Sequence, residues 1–173
     1  ALHYGADWTY GDVSAFDPLL AQTDILVLAH GAKVEQALDA NCTSFVTLIE
    51  RFRATAPRLP EVWAVGSEIE MHPHWGNADL TVYKASKMAY ARFGRRYRRD
   101  PGLLYRHIVP SAFTSRMGPG LISGRTAARI ALLLIGLGAR YVPVTYTGIA
   151  FLNWFRFTLG ERATEQDIAA ITG

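Results

Sequence analysis

Glu61-Val-Trp-Ala-Val-Gly-Ser67 decides the fold. The run is short, mostly apolar and bounded by Pro60 and Gly66, so it reads as a buried strand that delivers Ser67 to its carboxyl end. On the N-terminal side, Asp24-Ile-Leu-Val-Leu-Ala-His-Gly31 is a second strand-like run ending in a glycine. Between the two, Val34, Leu38, Phe45, Ile49 and Phe52 recur at helical steps, which predicts one buried helix face with Asn41 near its start. On the C-terminal side, Thr81-Val-Tyr-Lys-Ala-Ser-Lys-Met88 opens a second helix, Asp100-Pro101-Gly102 stops it, and Leu103 to Val109 forms a third strand ending at Pro110-Ser111. Alternating strands and helices imply a parallel sheet with right-handed crossovers, and ligands of such sheets sit at the carboxyl ends of the strands.

Tyr83 and Lys87 lie about one helical turn apart, so both side chains can face one cleft. An ammonium beside a phenol stabilises the phenolate and lowers its pKa toward neutrality, which is acid/base machinery for interconverting an alcohol and a carbonyl. The same spacing also occurs on many solvated helices. Ser67 has two readings as well, a hydrogen-bonding partner for a substrate oxygen or a turn serine bonded to its own backbone.

In order and spacing these residues resemble the short-chain dehydrogenase/reductase family, from about Trp8 to Tyr146. The resemblance implies an α/β fold, Rossmann-like, with three α/β/α layers around a parallel sheet, and a cofactor, NAD or NADP. Asp12, with Val13, stands where the family meets the adenine ring. Leu28-Ala29-His30-Gly31 occupies its Asn-Asn-Ala-Gly position, Asn41 matches its helix asparagine and Ser67 its active serine. Tyr83 and Lys87 supply its YxxxK. Pro110-Ser111-Ala-Phe113-Thr-Ser115-Arg-Met117 matches the segment that brackets the nicotinamide. The family roles are then Tyr83 as general acid/base, Lys87 as its electrostatic partner and ribose ligand, and Ser67 as holder of the substrate oxygen. Asn41 extends the proton relay, and Pro110, Phe113 and Ser115 position the nicotinamide. A narrower likeness is to the dehydrogenase half of bacterial sterol desaturase/short-chain dehydrogenase fusions. It rests on His30-Gly31, on Glu61-Val-Trp63 leading to Ser67-Glu-Ile-Glu70, and on Asn153-Trp-Phe-Arg-Phe157.

Several positions depart from the family pattern. The chain opens at Ala1 without the family's first strand and glycine-rich turn, so the expectation is a fragment that also lacks the first helix and the second strand. Leu28 and Ala29 replace asparagines, Ser111 replaces a glycine, and the step from Gly31 to Asn41 is short. Gly118-Pro-Gly120 with Gly124 looks like a phosphate turn. It follows the wrong strand, Pro119 removes an amide and no acidic residue follows to read a ribose, so it is expected only to open a helix from Leu121 to Leu137.

With 173 residues, half of them apolar, one domain with a substantial core is expected: a partial Rossmann-type unit over 1–146 and an apolar extension with a polar tail over 147–173. A single cysteine, Cys42, excludes an internal disulfide, suits a cytoplasmic location and falls among apolar helix positions, as core residues do. A net charge of +3 does not argue for nucleic acid. Arg95-Arg-Tyr-Arg-Arg99 reads as a solvated helix end, or else as a contact to an anionic membrane or partner. His72 and His74 lack a third ligand at a diagnostic spacing, so no metal is expected, and Trp75 is placed on a loop at the cleft mouth. Arg140 to Val144 is strand-like. Gly148 to Phe157 is too short to span a bilayer, which leaves a subunit interface of a homo-oligomer, a cover for the cleft or a membrane-surface contact. Glu161 to Gly173 is expected to fray.

The function these readings imply is hydride transfer between NAD(P) and a small-molecule carbonyl or alcohol of hydrophobic character. The rival is a non-catalytic Rossmann-like interaction domain beside a membrane-bound enzyme, favoured by the altered Leu28, Ala29 and Ser111 and opposed by the intact Ser67, Tyr83 and Lys87.

Overall fold

The computed structural model describes residues 2–3, 7–8, 10–33, 36–56, 58–72, 80–115 and 118–173. After a 3-10 segment, Tyr10–Phe16, the elements are α1 (Asp17–Leu20), β1 (Ile25–Leu28), α2 (Ser44–Thr55), β2 (Glu61–Val65), α3 (Thr81–Tyr97) and β3 (Leu104–Pro110). A two-residue pair, β4 (Phe113–Thr114) and β5 (Ile122–Ser123), precedes α4 (Gly124–Gly136), β6 (Tyr141–Val144), α5 (Ile149–Leu159) and α6 (Glu165–Thr172). The main sheet is parallel throughout, in the order β1-β2-β3-β6, with Val62 opposite Leu26 on one side and Tyr105 on the other.

Two-residue periodicity divides the sheet faces. Val62, Ala64 and Tyr105 point into the main core with Phe45, Ile49 and Phe52 of α2 and Tyr90, Phe93 and Tyr97 of α3. Ile108, Val142 and Val144 take the opposite face with Trp63 and Val65, against Ala127, Ala131 and Ile135 of α4. The result is the expected three-layer α/β/α sandwich. β1 is an edge strand of this sheet, and Ile25 and Val27 on it are exposed.

The helix before β2 differs from the expected pattern. Gln36 adopts a left-handed conformation (φ 62°), and Asp39–Thr43 forms a π-turn before α2 begins. A π-turn shifts the angular phase of everything before it. Leu38, expected on the buried face, is therefore exposed, whereas Asn41 and Cys42 are turned inward. Val34 lies outside the described residues. The helix expected from Leu121 starts at Gly124 instead, because Ser123 pairs in β5 and then caps the helix through Thr126 N.

Two of the C-terminal expectations need correction. The 161–173 tail is not frayed: Thr164 and Asp167 form a capping box that starts α6, and Ala163 and Ile168 are buried in the main core. The arginine cluster is not a free helix end. Arg95 donates to the carbonyls of Phe157 (3.1 Å) and Glu161 (2.9 Å), Arg99 to the carbonyl of Thr158 (3.1 Å), and Arg96 pairs with Glu165, so the end of α3 is fastened to α5 and α6. The 148–157 run is a single amphipathic helix, α5. Ala150, Asn153 and Phe157 are buried, while Phe151, Leu152, Phe155 and Leu159 are exposed. No helix among the described residues is long and apolar enough to cross a membrane.

Candidate active site

The carboxyl ends of β1, β2 and β3 and the first turns of α3 enclose a cleft of about 400 Å³. Ala29, His30 and Gly31 reach it from β1, Ser67 from β2, Tyr83 and Lys87 from α3, and Pro110, Ser111, Phe113 and Ser115 from β3 and the segment after it. Asn41 closes the wall behind Gly31. Val13, expected at the adenine, is partly buried and packs on the main core beside Trp8 and Phe16, away from the lining of this cleft. Asp12 lies on the same 3-10 segment. His74, Trp75 and Met117 lie outside the described residues.

Ser67 is held by its own chain. Its hydroxyl caps a 3-10 turn, Glu68–Met71, and its amide donates to Glu70 Oε2 at 3.1 Å, completing a capping box. The turn-serine reading of Ser67 is met, and the same hydroxyl lies near enough to the Tyr83 phenol to oppose the rise in its pKa. One turn along α3, Lys87 Nζ donates to the Val65 carbonyl at 3.0 Å and lies 5.9 Å from the Tyr83 ring centre. Burial pushes the Lys87 ammonium down to about 8, against the opposing pull of Glu70. The expected fall in the Tyr83 pKa is not met. Burial raises it, the hydrogen bond with Ser67 opposes the rise, and the charge of Glu70 adds to it.

Asn41 is braced on both sides of the cleft wall. Its Nδ2 donates to Ala32 O (2.6 Å) and to Ser86 Oγ (3.0 Å), and Ser86 in turn donates to the Tyr83 carbonyl (2.7 Å). A Cβ on Gly31 would lie 2.4 Å from Asn41 Oδ1, so glycine is needed there for the close approach. His30 bonds Ser44 Oγ through Nε2 at 2.9 Å and packs against the Trp8 and Phe45 rings; burial drives its pKa down to about 3, keeping it neutral.

Sequence reasoning missed Glu68, Ile69 and Leu80, which also line the cleft, as do Gly118 and Pro119 from the supposed decoy turn. The Ser-x-x-Glu capping pattern directly after a strand marked Glu70 and the turn that carries Glu68. Among the described residues there is no group of three or more His, Cys, Asp or Glu able to hold a metal, and His72 bonds Arg156 on α5 at 3.1 Å.

Several solved structures share this fold. The bulky-bulky ketone specific alcohol dehydrogenase from Comamonas testosteroni matches with a TM-score of 0.64 and 16% identity, covering 90% of this chain and 73% of that one. A short chain dehydrogenase from Burkholderia cenocepacia J2315, in complex with NADP, matches at 0.55 and 17% identity over 86% of this chain and 66% of that one. The fold is Rossmann-like, that of the short-chain dehydrogenases. In sequence, the monoglucosyldiacylglycerol epimerase of Synechocystis sp. (strain ATCC 27184 / PCC 6803 / Kazusa) is 29% identical over 160 residues, covering 84% of this chain and 38% of that protein. The chain thus spans well under half the length of that relative. No protein-family model matches the chain.

Proposed function

We propose that the cleft is the catalytic site of an NAD(P)-dependent oxidoreductase of the short-chain dehydrogenase/reductase type, acting on a secondary alcohol or the matching ketone. The observation that carries this reading is the convergence of Ser67, Tyr83 and Lys87 on one cleft at the carboxyl end of a parallel sheet. In reduction, Tyr83 Oη gives its proton to the carbonyl oxygen that Ser67 holds, and in oxidation it takes the hydroxyl proton back. A phenol whose pKa is raised by burial holds its proton at neutral pH, so the proton is present for donation but is released less readily than from a free phenol. Acting as a base requires nearby positive charge, which Lys87 supplies.

The donor set fits the nicotinamide end of the cofactor. The Lys87 ammonium spends one hydrogen bond on Val65 O and has N–H groups left for ribose hydroxyls, while Pro110, Ser111, Phe113 and Ser115 form the wall beside it. Bound there, NAD or NADP would supply or accept the hydride at the carbinol carbon. The diphosphate end belongs to a glycine-rich turn that we place in a longer protein. The exposed edge strand β1 supports this, with Ile25 and Val27 uncovered, as does the partial coverage of the relative. The likeness to sterol desaturase/short-chain dehydrogenase fusions belongs to the same reading.

The relative's name describes epimerisation of a glucosyl lipid. Inverting a carbinol carbon would need bound NAD(P) to accept its hydride and return it to the opposite face of the ketone, with Ser67, Tyr83 and Lys87 handling the hydroxyl proton, so a substrate that joins a polar reacting end to an apolar body is the class we assign. The exposed apolar face of α5, with Phe151, Leu152 and Phe155, would then rest against a lipid surface or a second subunit. The test is a titration of NADH and NADPH against this chain and against a version extended upstream, with Tyr83→Phe as control. Binding to the extended form, with turnover of a secondary alcohol lost by roughly 100-fold or more in Tyr83→Phe, supports the reading. Binding to neither form removes it.

A further inference from the structure

Glu68 follows Ser67 in the cleft wall, and the proton transfer described above does not use it. The residue is 9% exposed. Its Oε1 accepts from Thr145 Oγ1 at 2.6 Å and from Thr147 Oγ1 at 2.9 Å. Thr145 Oγ1 in turn accepts from Ser111 Oγ (2.9 Å) and from the amides of Thr147 and Gly148 (both 3.1 Å), so its proton is committed to the carboxylate. Asn153, fully buried in α5, donates to the Glu68 carbonyl at 3.0 Å and fixes the backbone. Among the described residues none donates to the other oxygen, Oε2. The surrounding wall is largely apolar, with Val65, Ile69, Leu80 and Phe113.

Glu68 Oε2 is not sealed away from solvent, so in the open cleft water can satisfy it, whereas a substrate that fills the cleft and displaces that water must offer it a donor. A plain ketone or mono-alcohol engages Ser67 and Tyr83 and has no donor left for Glu68. We propose that Glu68 is a substrate-specificity residue that accepts a hydrogen bond from a second hydroxyl near the reacting carbinol, so that the site takes a polyol or sugar ring. This rests on the oxidoreductase reading above and names its substrate class. Ser111, Thr145 and Thr147 act through Glu68 by occupying Oε1, which leaves Oε2 for the substrate.

The test is binding without cofactor, by saturation-transfer NMR of methyl β-D-glucopyranoside and of cyclohexanol, against the full chain, Glu68→Gln and Glu68→Leu. Glutamine is near-isosteric and keeps an acceptor for the two threonines, so it reports on the hydrogen bond even if the leucine variant folds poorly. The glucoside is expected to bind the parent and to weaken roughly tenfold or more in Glu68→Leu and by less in Glu68→Gln, while cyclohexanol is unchanged or tighter. Equal glucoside binding in the parent and both variants, or no glucoside binding to the parent, overturns the proposal. The NADH titration is separate, so its failure removes the oxidoreductase reading and leaves the glucoside result to stand or fall on its own.

Discussion

Glu70 Oε1 lies 2.7 Å from His107 Nε2, both side chains are fully enclosed, and the other oxygen of Glu70 accepts the amide of Ser67. The chain continues from His107 Nδ1 to Tyr105 Oη (2.9 Å) and on to Tyr90 Oη (3.0 Å) in α3, with the imidazole stacked on Phe157 at 4.3 Å. The strand end that carries Ser67 is thereby tied, through buried polar groups, to the helix that carries Tyr83 and Lys87. Such a network fixes geometry well only when it is complete, because a buried polar group that loses its partner bears its full desolvation cost.

Removing one member of this network should therefore cost more than removing two. His107→Phe is expected to destabilise the fold by about 3 kcal/mol, because the enclosed Glu70 Oε1 is left without a partner. Adding Glu70→Met to it should recover part of that loss, although the Ser67 amide then lacks its acceptor. Urea unfolding of the two singles and the double checks this. Simple additivity of the single losses would show that the pair is not coupled.

Lys87 is expected to set a conflict between stability and activity. Its folded pKa, about 8, lies below its unfolded value near 10.5. Below about 8 both states are protonated and the folded state bears the whole cost of burying the charge. Between about 8 and 10.5 the folded state sheds the proton while the unfolded chain keeps it, so the cost is lifted as pH rises. Lys87→Met should then be more stable than the parent by about 2 kcal/mol at pH 7, after allowing for the lost bond to Val65 O, and the gap should close through that window. Thermal unfolding across pH reads it out. A gap that does not change with pH would mean that burial does not perturb this lysine.

Much of the layout was legible in the sequence because apolar runs of strand length alternate with helical periodicity, and Ser67, Tyr83, Lys87 and Asn41 meet because that alternation brings them to one sheet edge. What stayed hidden depended on partners distant along the chain or on a local break of period. Leu38 was misplaced by the π-turn at Asp39–Thr43, which no propensity announces. Arg95 and Arg99 looked solvated because their acceptors are carbonyls some sixty positions away on α5 and its end. Glu68 and Glu70 are enclosed by partners far along the chain, Thr145 and Thr147 for the first and His107 for the second.

The C-terminal helix provides a local test of that lesson. Thr164 accepts the amide of Asp167 at 3.2 Å, Asp167 accepts the amide of Thr164 at 2.7 Å, and Ile168 then packs into the core shared with α2. Thr164→Ala should cost about 1 kcal/mol. It should raise amide exchange in α6 and leave β2 and β3 unchanged. Exchange rising equally everywhere would mean that α6 opens only with the whole domain.

Three glycines should respond to alanine in opposite directions, for reasons of space alone. At Gly66 a Cβ would lie 2.4 Å from Glu70 Oε2 and 2.8 Å from His107 Nε2, and at Gly31 it would lie 2.4 Å from Asn41 Oδ1. Neither neighbour can retreat without breaking the hydrogen bonds that hold Ser67 and the Gly31 turn, so each substitution should cost about 1–3 kcal/mol. Gly136, in the last turn of α4, has nothing within 4 Å of the same position, and alanine there should stabilise by about 0.5–1 kcal/mol through its better helix propensity. Chemical denaturation of the three variants measures all of these. A neutral Gly66→Ala would show that Glu70 and His107 have room to move, and the argument that they hold Ser67 in place would fail with it.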